Sequence, residues 1–287
     1  MKMNPTFSPI LSQFLIPMIE KVKYQGQIQE IQLTKVRSGE RIDHLDFVAV
    51  EAPLQISIKG VATSITMRTP GDDIALALGF LFTEGIFGDY NAIADALVVD
   101  ENSVNIIPEE GHHFDVISLE RNFYSTSSCG VCGKSSVEAI KAKSKYIPPV
   151  KDIKVESVIL TGLQDKLLSV QSAFEVTGGL HACALFSPEG RYLYHSEDVG
   201  RHNALDKLIG HALMAGRIPL DEHILLLSGR ASFELVQKAS MAGIQVIAAV
   251  GAPSSLAVDL ATSNTITLVG FLKKTGFNIY SGKHRIE

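Results

Sequence analysis

From His181 onward the chain alternates short apolar runs with amphipathic stretches of about ten residues, and no other feature limits its fold so strongly. His181–Phe186 and 192–195 read as the two strands of a hairpin turning through Pro188-Glu189-Gly190. The spacing then predicts a helix over 203–213, a buried strand at Ile224–Leu227 and a helix over Phe233–Met241 that Gly243 stops. A strand at 244–250, a helix over 254–261 and strands at 266–269 and 277–280 complete the pattern. Strands this short and this apolar need cover on both faces. That implies a partly parallel sheet between two layers of helices, an α/β/α arrangement.

The first part has a different rhythm. The first thirty residues read as a poorly patterned extension. Strand-like runs follow at 47–50, 54–58 and 64–67, the last two forming a hairpin around Lys59-Gly60. Arg68-Thr69-Pro70-Gly71-Asp72 is a loop ending in Asp72 as the N-cap of an apolar helix, Asp73–Thr83, which Gly85 closes. Short strands are expected at 103–107 and 115–119, and helices at 135–143 and 155–173 on either side of Pro148-Pro149. The chain therefore divides near residue 125. Residues 1–125 hold the extension and a smaller α+β domain, and residues 126–287 hold the larger α/β domain. A composition that is 46% hydrophobic and 20% charged is that of a folded chain.

Cys129 and Cys132 lie in Ser127-Ser128-Cys129-Gly130-Val131-Cys132-Gly133-Lys134, just before the helix expected from residue 135. A helix N-terminus and the Lys134 cation both favour thiolate over thiol, and an ordinary cysteine with a pKa of about 8.5 is mostly thiol at neutral pH. The pair could serve dithiol redox exchange, metal ligation or sulfur relay as a persulfide. Structural zinc takes four ligands, and His181 and Cys183 could supply the other two only if their hairpin folded back onto the loop. In His181-Ala182-Cys183 a cysteine stands where zinc deaminases carry their proton-shuttling glutamate, and here the CxxC precedes the histidine, so deamination is not expected. Thioredoxin-like chemistry would place the pair after the first strand of a compact βαβ unit, which this chain does not do.

Three polar corners could hold a phosphate-bearing ligand. Ser228-Gly229-Arg230-Ala231-Ser232 and Gly251-Ala252-Pro253-Ser254-Ser255 each join a strand to a helix, where open α/β sheets bind small ligands. Asp198-Val199-Gly200-Arg201-His202-Asn203 precedes another helix, with Asp198 as a possible cap and Asp206 one turn on as a partner for Arg201 or Lys207. Lys273, Lys274, Lys283, His284 and Arg285 form a basic tail that could face an anion or simply solvent. The formal net charge of −5 gives no general attraction to nucleic acid. No apolar run is long enough to cross a bilayer, and residues 1–20 lack the ordered regions of a secretion signal, so a cytoplasmic location with reduced thiols is expected.

Taken in order, Cys129-Gly130-Val131-Cys132-Gly133-Lys134, Gly178-Gly179-Leu180-His181, the run Glu197 to Lys207, Ser228-Gly229-Arg230 and Gly251-Ala252-Pro253-Ser254-Ser255 resemble the FdhD/NarQ family. So do Arg68-Thr69-Pro70-Gly71-Asp72 and the run Gly79 to Gly85. The resemblance covers roughly residues 40–283. It implies a larger domain like the cytidine deaminase fold, a homodimer, and a cytoplasmic sulfurtransferase with a cysteine persulfide intermediate. By the same resemblance, a cysteine desulfurase supplies sulfur to Cys129, with Cys132 as its partner. The sulfur then passes to the molybdenum cofactor as bis-molybdopterin guanine dinucleotide, for formate dehydrogenase. The family's cofactor-binding segment falls on Phe271, Leu272, Lys273, Lys274, Thr275 and Gly276. Many members carry arginine there, and lysine keeps the charge but loses the planar fork. Arg201, His202, Ser228, Gly229, Arg230 and Gly251 complete the expected cofactor site. No resident metal, nucleic acid or membrane partner is expected. The rival reading is a non-catalytic chaperone that binds the cofactor without carrying sulfur.

Overall fold

The computed structural model describes residues 26–112, 114, 146 and 152–287. Cys129, Cys132, the strand expected at 115–119, the helix at 135–143 and the Pro148-Pro149 break lie outside the described residues. The described residues form three sheets. Strands β1 (Ile28–Arg37) and β2 (Glu40–Ala49) form an antiparallel ribbon. A four-stranded sheet in the order β4-β3-β6-β5 contains β3 (Ala52–Ile58), β4 (Val61–Arg68), β5 (Ile93–Asp100) and β6 (Ser103–Pro108). The third sheet contains β7 (His181–Phe186), β8 (Tyr192–Asp198), β9 (Ile224–Leu227), β10 (Val246–Ala249), β11 (Thr267–Lys273) and β12 (Gly276–Ser281), in the order β12-β11-β10-β9-β7-β8. Within it β9, β10 and β11 run parallel, while β7 and β12 pair antiparallel to the flanks.

Side-chain alternation in the large sheet builds two cores. Cys183, Leu185, Leu225, Leu227, Ile247 and Leu268 point to one face, where helices α5 (Arg201–Met214), α6 (Phe233–Met241) and α7 (Ser255–Ser263) cover them. Ala182, Ala184, Phe186, Leu226, Val246 and Val269 point to the other, under Leu160, Leu163 and Leu167 of α2 (Ser157–Thr161) and α3 (Leu163–Leu168). The expected α/β architecture with cover on both faces is thus present.

Helix α1 (Asp73–Thr83) packs between the small sheet and α5. A Cβ on Gly79 would lie 1.9 Å from the Asp206 carbonyl oxygen, and one on Gly210 would lie 1.9 Å from that of Ala75. The two helices therefore cross backbone to backbone, and only glycine fits at either point. Leu54, Ile56, Val104 and Ile106 of the small sheet belong to the same apolar core as Leu205, Leu208 and Ile247. Each such side chain stabilises the fold by roughly 1.5–3 kcal/mol on burial.

Three expectations need correction, and one further strand was not anticipated. The extension expected over the first thirty residues gives way at Ile28 to β1, which was not anticipated. The single helix expected over 155–173 is three short ones, α2, α3 and α4 (Ser172–Thr177), broken at Gly162 and again over 169–171. Asp72 precedes α1 in a left-handed conformation, φ 56°, and its carboxylate pairs with His211 at 3.2 Å instead of capping the helix. Strand β5 was not anticipated; it pairs antiparallel with β6.

Candidate functional site

The run from Glu197 to Lys207 divides into structural and exposed positions. Asp198 is wholly buried: one carboxylate oxygen accepts from the Gly200 and Asn203 nitrogens, and the other meets the Thr69 amide and the Lys207 ammonium at 2.8 Å. Lys207 also donates to the Thr69 carbonyl, and Asn203 to that of Met67, so this corner joins α5 to the β4–α1 loop. Asp206 pairs with neither Arg201 nor Lys207. It accepts from Lys238 at 2.9 Å and from Thr83 at 2.8 Å. Arg68, 1% exposed, makes a bidentate pair with Asp73 and donates to the Glu101 carbonyl. The Asp198 and Asp206 groups tie the large sheet's helices to the first part of the chain, while Arg68 braces the small sheet internally.

Arg201 and His202 are different. They open α5 after Gly200, which provides no side-chain cap. The Arg201 Nε is buried without a hydrogen-bond partner. His202 Nε2 meets Glu234 at 2.8 Å and Ser232 at 3.3 Å, which ties the start of α5 to the start of α6. His181 begins the antiparallel strand β7, so it lies where β9 ends. An added Cβ on Gly229 would be 3.5 Å from its Nδ1. Burial lowers the His181 pKa, and the nearby Arg201 and His202 lower it further. The imidazole is thereby kept neutral, with one ring nitrogen to donate and one to accept.

The carboxyl ends of the parallel strands are laced together beside this cluster. Gly251 donates to the Gly229 carbonyl at 2.9 Å, and Phe271 donates to the Gly251 carbonyl at 3.1 Å. A Cβ on Gly251 would come within 2.9 Å of the Arg230 backbone nitrogen, so glycine is required for the two corners to touch. Ser228 extends the β7–β9 ladder: its amide donates to the Ala182 carbonyl and its hydroxyl accepts from the Ala182 amide. Ser232 and Ser254 cap α6 and α7 through Leu235 and Ala257, so these serines serve the helices first. Phe271 sits in the left-handed region, φ 53°, and is 43% exposed at the bulge. A bulky residue held there is strained, a condition that concentrates at functional sites.

The expected residues therefore fall into two groups. Arg201, His202, Ser228, Gly229, Arg230, Gly251 and Phe271 gather at the carboxyl edge of β9, β10 and β11, with His181 among them. Leu272 is fully buried in the core under α2 and α3. Lys273, Lys274, Thr275 and Gly276 form the tip of the β11–β12 hairpin, where Lys274 reaches Asp165 of α3 at 2.9 Å. The basic tail is also divided. Arg285 is 2% exposed and bonds to Gln245, Thr265, Thr267 and Asp152, so it is a structural cation, unlike the surface lysines.

His181 also borders a cleft of about 390 Å³ between α3, α4 and the sheet, lined in part by Gln164, Gln171, Phe174, Ser228 and Val250. Gln171 and Phe174 were not anticipated as site residues. Cys183 is buried behind His181, and burial raises its thiol pKa far above the ordinary range. Among the described residues no group of three His, Cys, Asp or Glu side chains could hold a metal ion, and no helix is long and apolar enough to cross a membrane.

The α/β scaffold thus gathers two guanidinium groups, two imidazoles and glycine corners at one sheet edge. The FdhD/NarQ family profile matches residues 49–287, and the chain belongs to that family. It is 48% identical over 272 residues to the sulfur carrier protein FdhD of Streptomyces avermitilis, covering 91% of this chain and 96% of that one. It is 40% identical over 261 residues to the protein of the same name from Sulfolobus acidocaldarius, covering 91% and 99%. The fold matches a crystal structure from Desulfotalea psychrophila assigned as a formate dehydrogenase accessory protein. The TM-score is 0.75 at 24% identity, over 91% of this chain and all of the other.

Proposed function

We propose that this chain is a sulfurtransferase that carries sulfane sulfur as a persulfide on Cys129. It takes the sulfur from a cysteine desulfurase and passes it to bis-molybdopterin guanine dinucleotide molybdenum cofactor destined for formate dehydrogenase. One observation carries the reading: Cys129-Gly130-Val131-Cys132-Gly133-Lys134 lies in a chain 40–48% identical to proteins named sulfur carriers. In the loading step the Cys129 thiolate attacks the outer sulfur of the donor's persulfide. A new S–S bond forms, the donor's breaks, and the donor thiolate leaves. Release of that sulfur as sulfide takes two electrons. Attack by Cys132 on the inner Cys129 sulfur supplies them and closes a disulfide. Burial removes Cys183 from this exchange.

The described residues support the acceptor half. Neither Arg201 nor Arg230 has a side-chain hydrogen bond or carboxylate partner among the described residues, so both guanidinium groups are available to phosphate. The β11–β12 hairpin tip adds the exposed Lys273, beside Lys274 in its ion pair with Asp165. In this reading the protein works in the cytoplasm as a homodimer.

The test is mass spectrometry after incubation with a cysteine desulfurase and cysteine. The peptide containing Cys129 should gain one sulfur atom that thiol reductant removes, and Cys129→Ala should fail to activate formate dehydrogenase made without its sulfurated cofactor. Full activation by a variant with both Cys129→Ala and Cys132→Ala would instead make the protein a cofactor chaperone.

A further inference from the structure

The two edges of the small sheet differ in character. At β4 the edge is closed, because the Asn203 amide donates to the Met67 carbonyl and accepts from the Thr66 hydroxyl, which sets the start of α5 against that strand. At the other edge β5 pairs with β6 alone, and among the described residues no strand lies beyond it. An edge strand leaves alternate N–H and C=O groups unpaired and able to accept another strand. Leu97, Val98 and Val99 of β5 are 43%, 58% and 64% exposed. Leu97 lies opposite Asn105 and Val98 opposite the buried Val104, so these two neighbours point to opposite faces. The uncovered apolar surface therefore wraps the edge itself.

The charge around this edge has one sign. Residues 85–112 contain Asp89, Asp95, Asp100, Glu101, Glu109 and Glu110 and no lysine or arginine. All six are exposed, and among the described residues none has a cationic partner. Backbone amides of Asn91, Ala96 and Asn102 hold Asp89, Asp95 and Asp100 in place without neutralising them. This pattern argues against a second copy of the chain as the occupant. Two β5 strands pairing antiparallel about a two-fold axis, with Leu97 opposite Val98, would set Asp95 opposite Asp100 at both ends. Like charges placed directly opposite destabilise a strand pair. We infer that β5 is the docking edge for an extended segment of another protein, apolar in its middle and carrying lysine or arginine at both ends. The segment adds one strand to the small sheet. Main-chain hydrogen bonds supply affinity, its apolar residues cover Leu97, Val98 and Val99, and Asp95 and Asp100 select the flanking cations. This surface belongs to the small sheet and uses none of the residues gathered at the ends of β9, β10 and β11.

Hydrogen–deuterium exchange of the full-length protein tests this, with a short synthetic peptide of alternating valine and threonine that has lysine at both ends as the probe. At low salt the peptide should slow exchange at least ten-fold for the amides of residues 94–99 that face away from β6. The same peptide with glutamate at both ends should not, and neither should the lysine peptide with alternate backbone nitrogens methylated. Asp95→Asn combined with Asp100→Asn should weaken binding of the lysine peptide at least ten-fold, and molar salt should shrink that difference. Val98→Lys should abolish binding with circular dichroism unchanged. If the lysine peptide gives no protection, or the glutamate peptide protects equally well, the inference is wrong. Strong protection of those outward amides in the free protein would show that the edge is already covered and would overturn it too. Sedimentation supplies the last check. If Val98→Lys lowers the oligomeric state of the protein, the edge belongs to a second copy and not to a basic segment of another protein.

Discussion

At the scale of the residue, charges inside this protein do two kinds of work. Lys238 has a side chain 8% exposed, and its ammonium lies 2.9 Å from Asp206, 2.9 Å from Thr83 and 3.4 Å from Glu84. Burial alone would lower its pKa, but the Asp206 and Glu84 carboxylates outweigh burial and raise it, while burial raises the pKa of Asp206 against the pull of Lys238. Lys238→Met would leave the Asp206 carboxylate buried without its cation. That should cost about 3–5 kcal/mol in urea unfolding, while adding Asp206→Leu should recover most of the loss. A double variant no more stable than the single would show that the pair does not act as a unit. Arg201 is the opposite case, a cation whose Nε lacks any partner within the fold. Sequence distinguishes these roles poorly. Asp198, Arg201, Asn203 and Asp206 all look like polar residues at the start of one helix, and only the packing of α1 against α5 decides which of them are internal. Gln171 is less legible still. In one continuous helix over 155–173 it reads as an ordinary surface residue, and the break at 169–171 is what turns it into the cleft.

At the scale of the element, legibility follows periodicity. The strands and helices after His181 can be read because apolar β positions, amphipathic helices and stops such as Gly243 agree with one another. The β1–β2 ribbon cannot, because its cross-strand neighbours mix chemistries: Ile31 faces Asp46, Leu33 faces His44 and Lys35 faces Ile42. Neither strand then shows clean alternation. Gly79 and Gly210 are equally silent in sequence, since each looks like a weak point in a helix. In the fold they let α1 and α5 touch. Gly79→Ala or Gly210→Ala should destabilise the protein by about 3 kcal/mol or more, because the new methyl group meets a carbonyl that cannot rotate away. Gly88→Ala, where the added carbon meets nothing within 4 Å, should shift stability by no more than about 0.5 kcal/mol. Equal effects at the two kinds of site would show that helix contact is not what these glycines provide.

At the scale of the whole molecule, one apolar core runs from Ile56 of the small sheet through α1 and α5 to Ile247 of the large one. Differential scanning calorimetry should therefore show a single unfolding transition, with calorimetric and van't Hoff enthalpies in agreement. Two resolved transitions would mean that the sheets unfold separately. A last consequence follows from how the cleft wall is anchored. Val155 donates to the Arg285 carbonyl and Ser157 to the Glu287 carbonyl, while the Glu287 amide donates back to Val155. The segment that begins the wall is thus held by residues made long after it, and the strands that complete the sheet edge lie between the two. The anchor of α2 forms only when residues 285–287 are in place. The cleft wall is therefore set by a contact between two distant parts of the chain and not by its own short helices.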